Sequence, residues 1–282
     1  ASDGPTDLDL VGTALLGTGV LALMLPFVLT TGGPDDNPAR WWFLGLFVAI
    51  AALFVAWERR YLAAGRTAIV DFTLFRIRSY RNATLLAMAY FAAMPATFLT
   101  LTLFLQLGLE LAAVYAGMVT IPFALASAVT SFYSGKVVEQ HGRLIVVVGL
   151  VGVLIGFGGA VASALFLPPI AVPWAMAVAM LVAGAGGGAV IAPNQTLALA
   201  EVPVTSGGVA GSIGQVGQRV GTAVGLAAAV SAFYATVYRE EGMFSQLVVY
   251  QDAYRNAGAV IVLFVSIALV MAVIDLRARR SG

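Results

Sequence analysis

Residues Gly184 to Thr196 read GAGGGAVIAPNQT. The first six letters fit G-x-G-x-x-A, the loose dinucleotide-binding fingerprint, and Glu201 follows near the place of a ribose-binding carboxylate. The competing reading is glycine used so that helices can approach closely. A dinucleotide fingerprint follows a strand and opens a helix. Gly184 instead lies inside an apolar run that begins near Val172. The stretch therefore reads as a packing seam, with Pro193 bending the span as it leaves the membrane. Asn194-Gln195-Thr196 is formally a glycosylation sequon, but its place at the cytoplasmic end leaves it unmodified.

Composition points the same way. The chain is 60% hydrophobic and 10% charged, with a mean hydropathy of +0.94. Soluble domains carry about 25% charged residues, so this chain cannot cover a water-facing surface. It has 31 glycines, no cysteine and one histidine, His141. Thiolate metal sites, disulfides and sites needing two imidazoles are excluded. Neither a cofactor, a metal nor a nucleic-acid partner is expected. The start, with Asp3, Asp7 and Asp9, lacks a basic leader region. It reads as a chain without a cleavable signal and as a piece of something longer.

Apolar runs long enough to cross a hydrocarbon core of about 30 Å fall at roughly 9–31, 41–62, 82–107, 111–134, 143–167, 172–197, 207–236 and 256–276. The expected fold is all-α, a polytopic membrane helix bundle of about eight spans. Basic residues set its orientation. With the N-terminus cytoplasmic, eleven face inward: Arg59, Arg60, Arg66, Arg76, Arg78, Arg81, Lys136, Arg143, Arg277, Arg279 and Arg280. Arg40, Arg239 and Arg255 face outward. Both termini are therefore expected in the cytoplasm. The segment 70–80 alternates apolar and basic residues, and is either a short interfacial helix or an ordinary basic loop.

Intramembrane charges are costly and mark function by default. No carboxylate falls in the middle of a span; Glu110 and Asp275 are at span ends. A membrane-embedded acid able to take up and release a proton is thus missing. Arg219, about three turns into the seventh span, either binds an anionic group or snorkels toward the cytoplasm. Tyr90, Phe91 and Phe98, with the amides Gln106, Asn194 and Gln215, are candidate cavity residues; for each ring, packing is the plainer role. Gly184, Gly186 and Gly188, the Gly217-xxx-Gly221-xxx-Gly225 series preceded by Gly207-xxx-Gly211, and Gly152-xxx-Gly156-xxx-Ala160 are expected to be packing seams. Pro95, Pro122 and Pro193 are expected to bend spans three, four and six, making hinge positions.

The segment Gly184–Gly225, GAGGGAVIAPNQTLALAEVPVTSGGVAGSIGQVGQRVGTAVG, resembles the tenth and eleventh core helices of major facilitator superfamily transporters of the fourteen-helix drug:proton antiporter type. Ser134-Gly135-Lys136-Val137-Val138-Glu139-Gln140-His141-Gly142-Arg143 is similar to that family's cytoplasmic G-x-x-x-D-R-x-G-R gating loop. Glu139 stands where aspartate is usual and Gln140 where arginine is usual, which weakens the loop's charge relay; Gly135, Gly142 and Arg143 remain.

The resemblance implies an inserted helix pair over 1–65, an interfacial linker over 66–81 and a C-terminal six-helix bundle over 82–282. It implies efflux of drugs or other small organic compounds across the plasma membrane, with the bilayer and a small-molecule substrate as partners. Proton coupling would come through the missing N-terminal half. The alternative is a non-transporting truncated membrane protein or half-size interaction module. An intramembrane enzyme is disfavoured, because His141 and Lys136 lie away from membrane-buried serines.

Overall fold

The computed structural model describes residues 9–29, 37–64 and 72–278. Asp3, Asp7, Arg66, Arg279, Arg280 and the start of the linker lie outside them, as do the side chains of Glu139 and Gln140. The described chain is helical and has no strand. Its helices are α1 (Leu10–Val28), α2 (Trp42–Ala63), α3 (Arg78–Leu103), α4 (Ala113–Met118), α5 (Ile121–Phe166), α6 (Val172–Gly188), α7 (Ile191–Leu199), α8 (Gly207–Glu240) and α9 (Gln246–Ala278). Seven segments are long and apolar enough to cross a membrane, and α1 supplies a shorter apolar helix, Leu10–Pro26. Leucine, valine, isoleucine and aromatic side chains cover much of the outer surface, for example Trp42, Val48, Ile155 and Leu263. Only a hydrocarbon environment makes such a surface stable. The protein is a multi-pass membrane helix bundle.

Three departures from the sequence expectation share one cause: the apolar runs show where chain crosses, not where helices break. Pro122 does not bend a continuous span. It stands in the first turn of α5, after a break at Val119–Thr120, where its missing N–H costs no helix bond. Span six also breaks, at Ala189–Val190, into α6 and α7. Pro193 then sits in the first turn of α7. The stretch expected as a loop at Gly135, Glu139, Gly142 and Arg143 is helical and belongs to α5.

Helix α5 nonetheless folds back on itself. Phe123 lies against Gly184 and Ser127 against Gly188, so the first arm runs parallel to α6. Gly149 lies against Gly186 and Gly156 against Ala183, so the second arm runs antiparallel to it. The chain reverses between Ser134 and Val146.

These contacts explain the glycines of the opening stretch. A Cβ at Gly184 would collide with the Phe123 carbonyl, at Gly186 with the Gly149 carbonyl, and at Gly188 with the Ser127 carbonyl. Helix α6 is wedged backbone-to-backbone between both arms of α5. On α8, Gly221 and Gly225 meet the carbonyls of Met88 and Ala92 on α3, and a Cβ at Gly217 would come 3.6 Å from the Thr84 methyl. Gly207, Gly208 and Gly211 have open space instead, so the earlier part of that series is not a seam.

The main core is built by α3, α5, α6, α8 and α9, around Tyr90, Phe104, Phe157, Met176, Phe233 and Tyr254. Phe104 stacks on Tyr254 with ring centroids 5.1 Å apart. A smaller cluster of Phe54, Leu74, Tyr80, Val202, Ala210 and Ile213 joins α2 to the inner ends of α3 and α8. Leu74 belongs to a short 3-10 turn, Phe72–Arg76, in the segment read as interfacial helix or loop. At the inner ends of α1 and α2, the buried Asp9 accepts from the Gly12 N–H at 2.7 Å and from the Trp57 indole at 3.0 Å. Glu58 is buried beside them, a neighbour the spacing of the sequence does not announce.

Pro95 lies inside α3 and removes the N–H that would bond to the Phe91 carbonyl. Thr222 of α8 replaces it, its hydroxyl donating to that oxygen at 3.3 Å. Thr222→Val should therefore cost about 1 kcal/mol of bundle stability. In a Pro95→Ala background, where the backbone donor is restored, the same substitution should cost nearly nothing. Thermal unfolding of the four proteins of that cycle checks this.

Candidate functional site

Where α6 gives way to α7, α3, α7 and α8 leave a cleft of about 130 Å³ near the ends at which α3 and α8 begin. Asn194, Gln195, Gln215, Gln218, Tyr80 and Thr84 supply its polar groups, and alanines, glycines and Leu199 the rest of its wall. Asn194 is positioned twice over. Its N–H donates to the carbonyl of Val190, the residue that caps the restarted helix, and its side-chain amide donates to the Ala83 carbonyl of α3 at 2.9 Å. Tyr80 closes the inner end, its hydroxyl donating to the Ala210 carbonyl at 2.8 Å. A smaller extension, sharing Asn194, Gln195 and Gln218, runs on to Tyr90 and Phe91. Those two rings meet edge to face at 5.8 Å. The Tyr90 hydroxyl is buried without a hydrogen-bond partner, and Gly187 is the residue beside it.

Of the residues singled out by sequence, the structure brings Tyr90, Phe91, Asn194 and Gln215 to this cleft. Arg219 stands one turn beyond Gln215 on the same face of α8, exposed. Phe98 is elsewhere, edge-on to Phe123 at 5.0 Å. Gln106 is also elsewhere, in the π-helical turn Phe104–Gly108 at the outer end of span three. Tyr80, Thr84, Gln195 and Gln218 were not anticipated. Gln195 and Gln218 directly flank Asn194 and Arg219 in sequence, so adjacency was the signal available.

A second polar site lies at the inner end of the bundle. The Arg143 guanidinium pairs with Asp275 of α9, Nε to Oδ2, at 3.0 Å, and approaches Glu201 at 3.9 Å. Asn82 of α3 donates to the other Asp275 oxygen at 3.4 Å. One arginine thus ties α5 to α9 and to the connection between α7 and α8. At the outer end, α4, α5 and α6 border an apolar groove of about 450 Å³ that includes Tyr115, Pro122, Ile170 and Trp174 and no charged residue. Among the described residues no cluster of metal-ligating side chains occurs.

No family model matches the chain. It is similar to the probable actinorhodin transporter of Streptomyces coelicolor, 27% identical over 239 residues, covering 80% of this chain and 39% of that protein. It is also similar to the quinolone resistance protein NorB of Staphylococcus aureus, 27% identical over 267 residues, covering 93% of this chain and 55% of that one. These relatives bear out the resemblance to drug transporters of the major facilitator superfamily. The chain spans about half, or less, of the length of the curated relatives it matches.

Proposed function

We propose that this chain is the C-terminal portion of a fourteen-helix exporter that moves drugs or other small organic compounds out across the bacterial plasma membrane. The observation carrying the proposal is the exposed face of α8. Ser212, Gln215 and Arg219 follow one another there at helical spacing. Arg219 lies about 18 Å along the helix from Gly207, at 1.5 Å per residue. Lipid cannot solvate a guanidinium at that depth without large cost. The face belongs against a water-filled cavity shared with a second bundle, and the amide-lined cleft opens beside it. The 55% of NorB that this chain matches is close to the eight-fourteenths that a six-helix bundle plus an inserted helix pair would occupy.

On this reading the N-terminal bundle supplies the other cavity wall and the proton-carrying acid, since transporters of this architecture rock two bundles about a midplane site. The discontinuity at Ala189–Val190 is the flexible point beside the substrate. The Arg143–Asp275 pair holds the cytoplasmic ends together in one of the two states. The chain carries out no covalent chemistry.

The test is export of ethidium, a cation, and carboxyfluorescein, an anion, from loaded cells. The intact protein, translated with its preceding segment, should lower retained dye of at least one charge sign. Asn194→Leu should reduce that export at least fivefold with surface expression kept. Residues 1–282 alone should export neither dye; export by them would overturn the partial-chain reading. Failure of the intact protein to export any compound of a broad panel would favour the non-transporting interaction module.

A further inference from the structure

We infer that the start of α3 binds the phosphate of an anionic bilayer lipid, held by Arg76, Arg78 and Arg81. The site is independent of what the cleft carries.

Helices favour acids at their N-terminus, where the unpaired N–H groups make a positive pole. Helix α3 does the opposite. It opens at Arg78 with no acid in its first turn, and Ile77 at the cap position makes no side-chain cap bond. The Ser79 hydroxyl is buried without a hydrogen-bond partner, so it caps nothing either. Arg76, Arg78 and Arg81 stand around this pole, all exposed. Among the described residues none of the three has an ion pair. Three cations at a positive pole repel one another until an anion joins them. The acids at this end of the bundle are committed elsewhere. Asp275 and Glu201 face Arg143, Asp9 accepts from Gly12 and Trp57, and Glu58 is buried.

The segment is also fixed in place. Leu74 and Tyr80 are buried in the small core shared with α2 and α8, and Phe75 and Ile77 pack against it. The Phe75 ring meets Tyr80 edge-on at 5.7 Å. The apolar side chains of 74–80 are thus spent on protein, which leaves the arginines for the headgroup layer. The membrane span Arg78–Gly108 begins here, at the depth where basic side chains meet lipid phosphates. A guanidinium offers phosphate a flat fork of donors, and an uncapped helix start adds its own N–H groups. A zwitterionic headgroup brings a cation that the arginines repel; phosphatidylglycerol does not.

The test extracts the intact protein from liposomes of equal phosphatidylglycerol and phosphatidylcholine and reads the retained lipids by mass spectrometry. Phosphatidylglycerol should be enriched about fivefold or more, the effect of one basic residue at a charged surface. Arg76→Gln with Arg78→Gln should bring the two lipids within about twofold of each other. Arg59→Gln with Lys136→Gln removes the same charge from two other elements at that end and should leave most of the enrichment. Arg78→Lys, which keeps the charge and loses the fork, should fall between. All these side chains are exposed, so each variant should still elute as a single peak. Equal retention of both lipids by the unaltered protein overturns the site, and so does equal loss from the two glutamine pairs. If inorganic phosphate in the wash strips the enrichment and chloride of equal ionic strength does not, the site takes a free anion and the lipid assignment falls.

Discussion

Gly225→Val should prevent stable assembly of the bundle, and Gly221→Val should come close to doing so. At both positions the added carbon meets a main-chain carbonyl of α3, that of Ala92 for Gly225 and of Met88 for Gly221. Overpacking a core typically costs about 1–3 kcal/mol when side chains can shift aside. Here the obstacle is backbone within a helix that is itself packed against α7 and α9, so at least the upper end of that range, about 3 kcal/mol, is expected. Moving α3 away would also separate Thr222 from the Phe91 carbonyl it satisfies. Gly208→Val on the same helix is the control, since nothing lies within 4 Å of a Cβ there. Size-exclusion elution after graded heating, read from a fluorescent fusion, should show loss of the monodisperse peak for the first two variants and an unchanged profile for the third.

The second large effect is expected at the inner end. Arg143→Ala removes one partner of a pair whose side chains are 12% and 15% exposed. Breaking a buried ion pair by deleting one member costs about 3–5 kcal/mol, because the other charge stays behind without compensation. The residual exposure of both groups places the expected loss at the lower end, about 3 kcal/mol. Replacing both members by apolar residues, Arg143→Met with Asp275→Leu, should return most of it. Thermal stability of the two single variants and the double variant measures the coupling directly. If the double variant is no more stable than Arg143→Ala, the pair is not what ties α5 to α9.

These two sites also mark how far the sequence can be read unaided. Crossing segments were legible because hydrocarbon demands about 20 apolar residues for each helix, and eight such runs stand out. Glycines four apart announced close packing, and Gly221 and Gly225 meet α3 as that spacing implies. The spacing cannot tell that Gly207 and Gly211 face open space, since that depends on where α3 ends and diverges from α8. Pro122 looked like a kink because the break at Val119–Thr120 carries no polar residue longer than Thr120. The reversal inside α5 was read as a loop for its charges, although its backbone keeps helical bonding.

The cleft was half legible. Asn194 and Gln215 stand out as amides in apolar runs, and Arg219 as a mid-span charge. Their meeting requires the break between α6 and α7, which turns Asn194 and Gln195 toward α8. Phe98 and Gln106 belong to the same span as Tyr90 but sit about two and about four turns farther along it, at 3.6 residues per turn. Residue type alone could not separate them from Tyr90. The burial of Asp9 and Glu58 was not legible for the opposite reason: they lie at span ends, where charges are ordinary, and the packing of α1 on α2 brings them together.

The central claim is that the polar face of α8 borders water inside a two-bundle transporter. The chain contains no cysteine, so single cysteines can be placed at Ser212, Gln215 and Arg219 of α8 and, for comparison, at Leu263 of α9, which is 58% exposed. Thiols react as thiolates and need water to ionise. In the intact protein in cell membranes, a charged maleimide should label positions 212, 215 and 219 and leave 263 unlabelled. Labelling of all four alike, or of none on α8, would contradict the account.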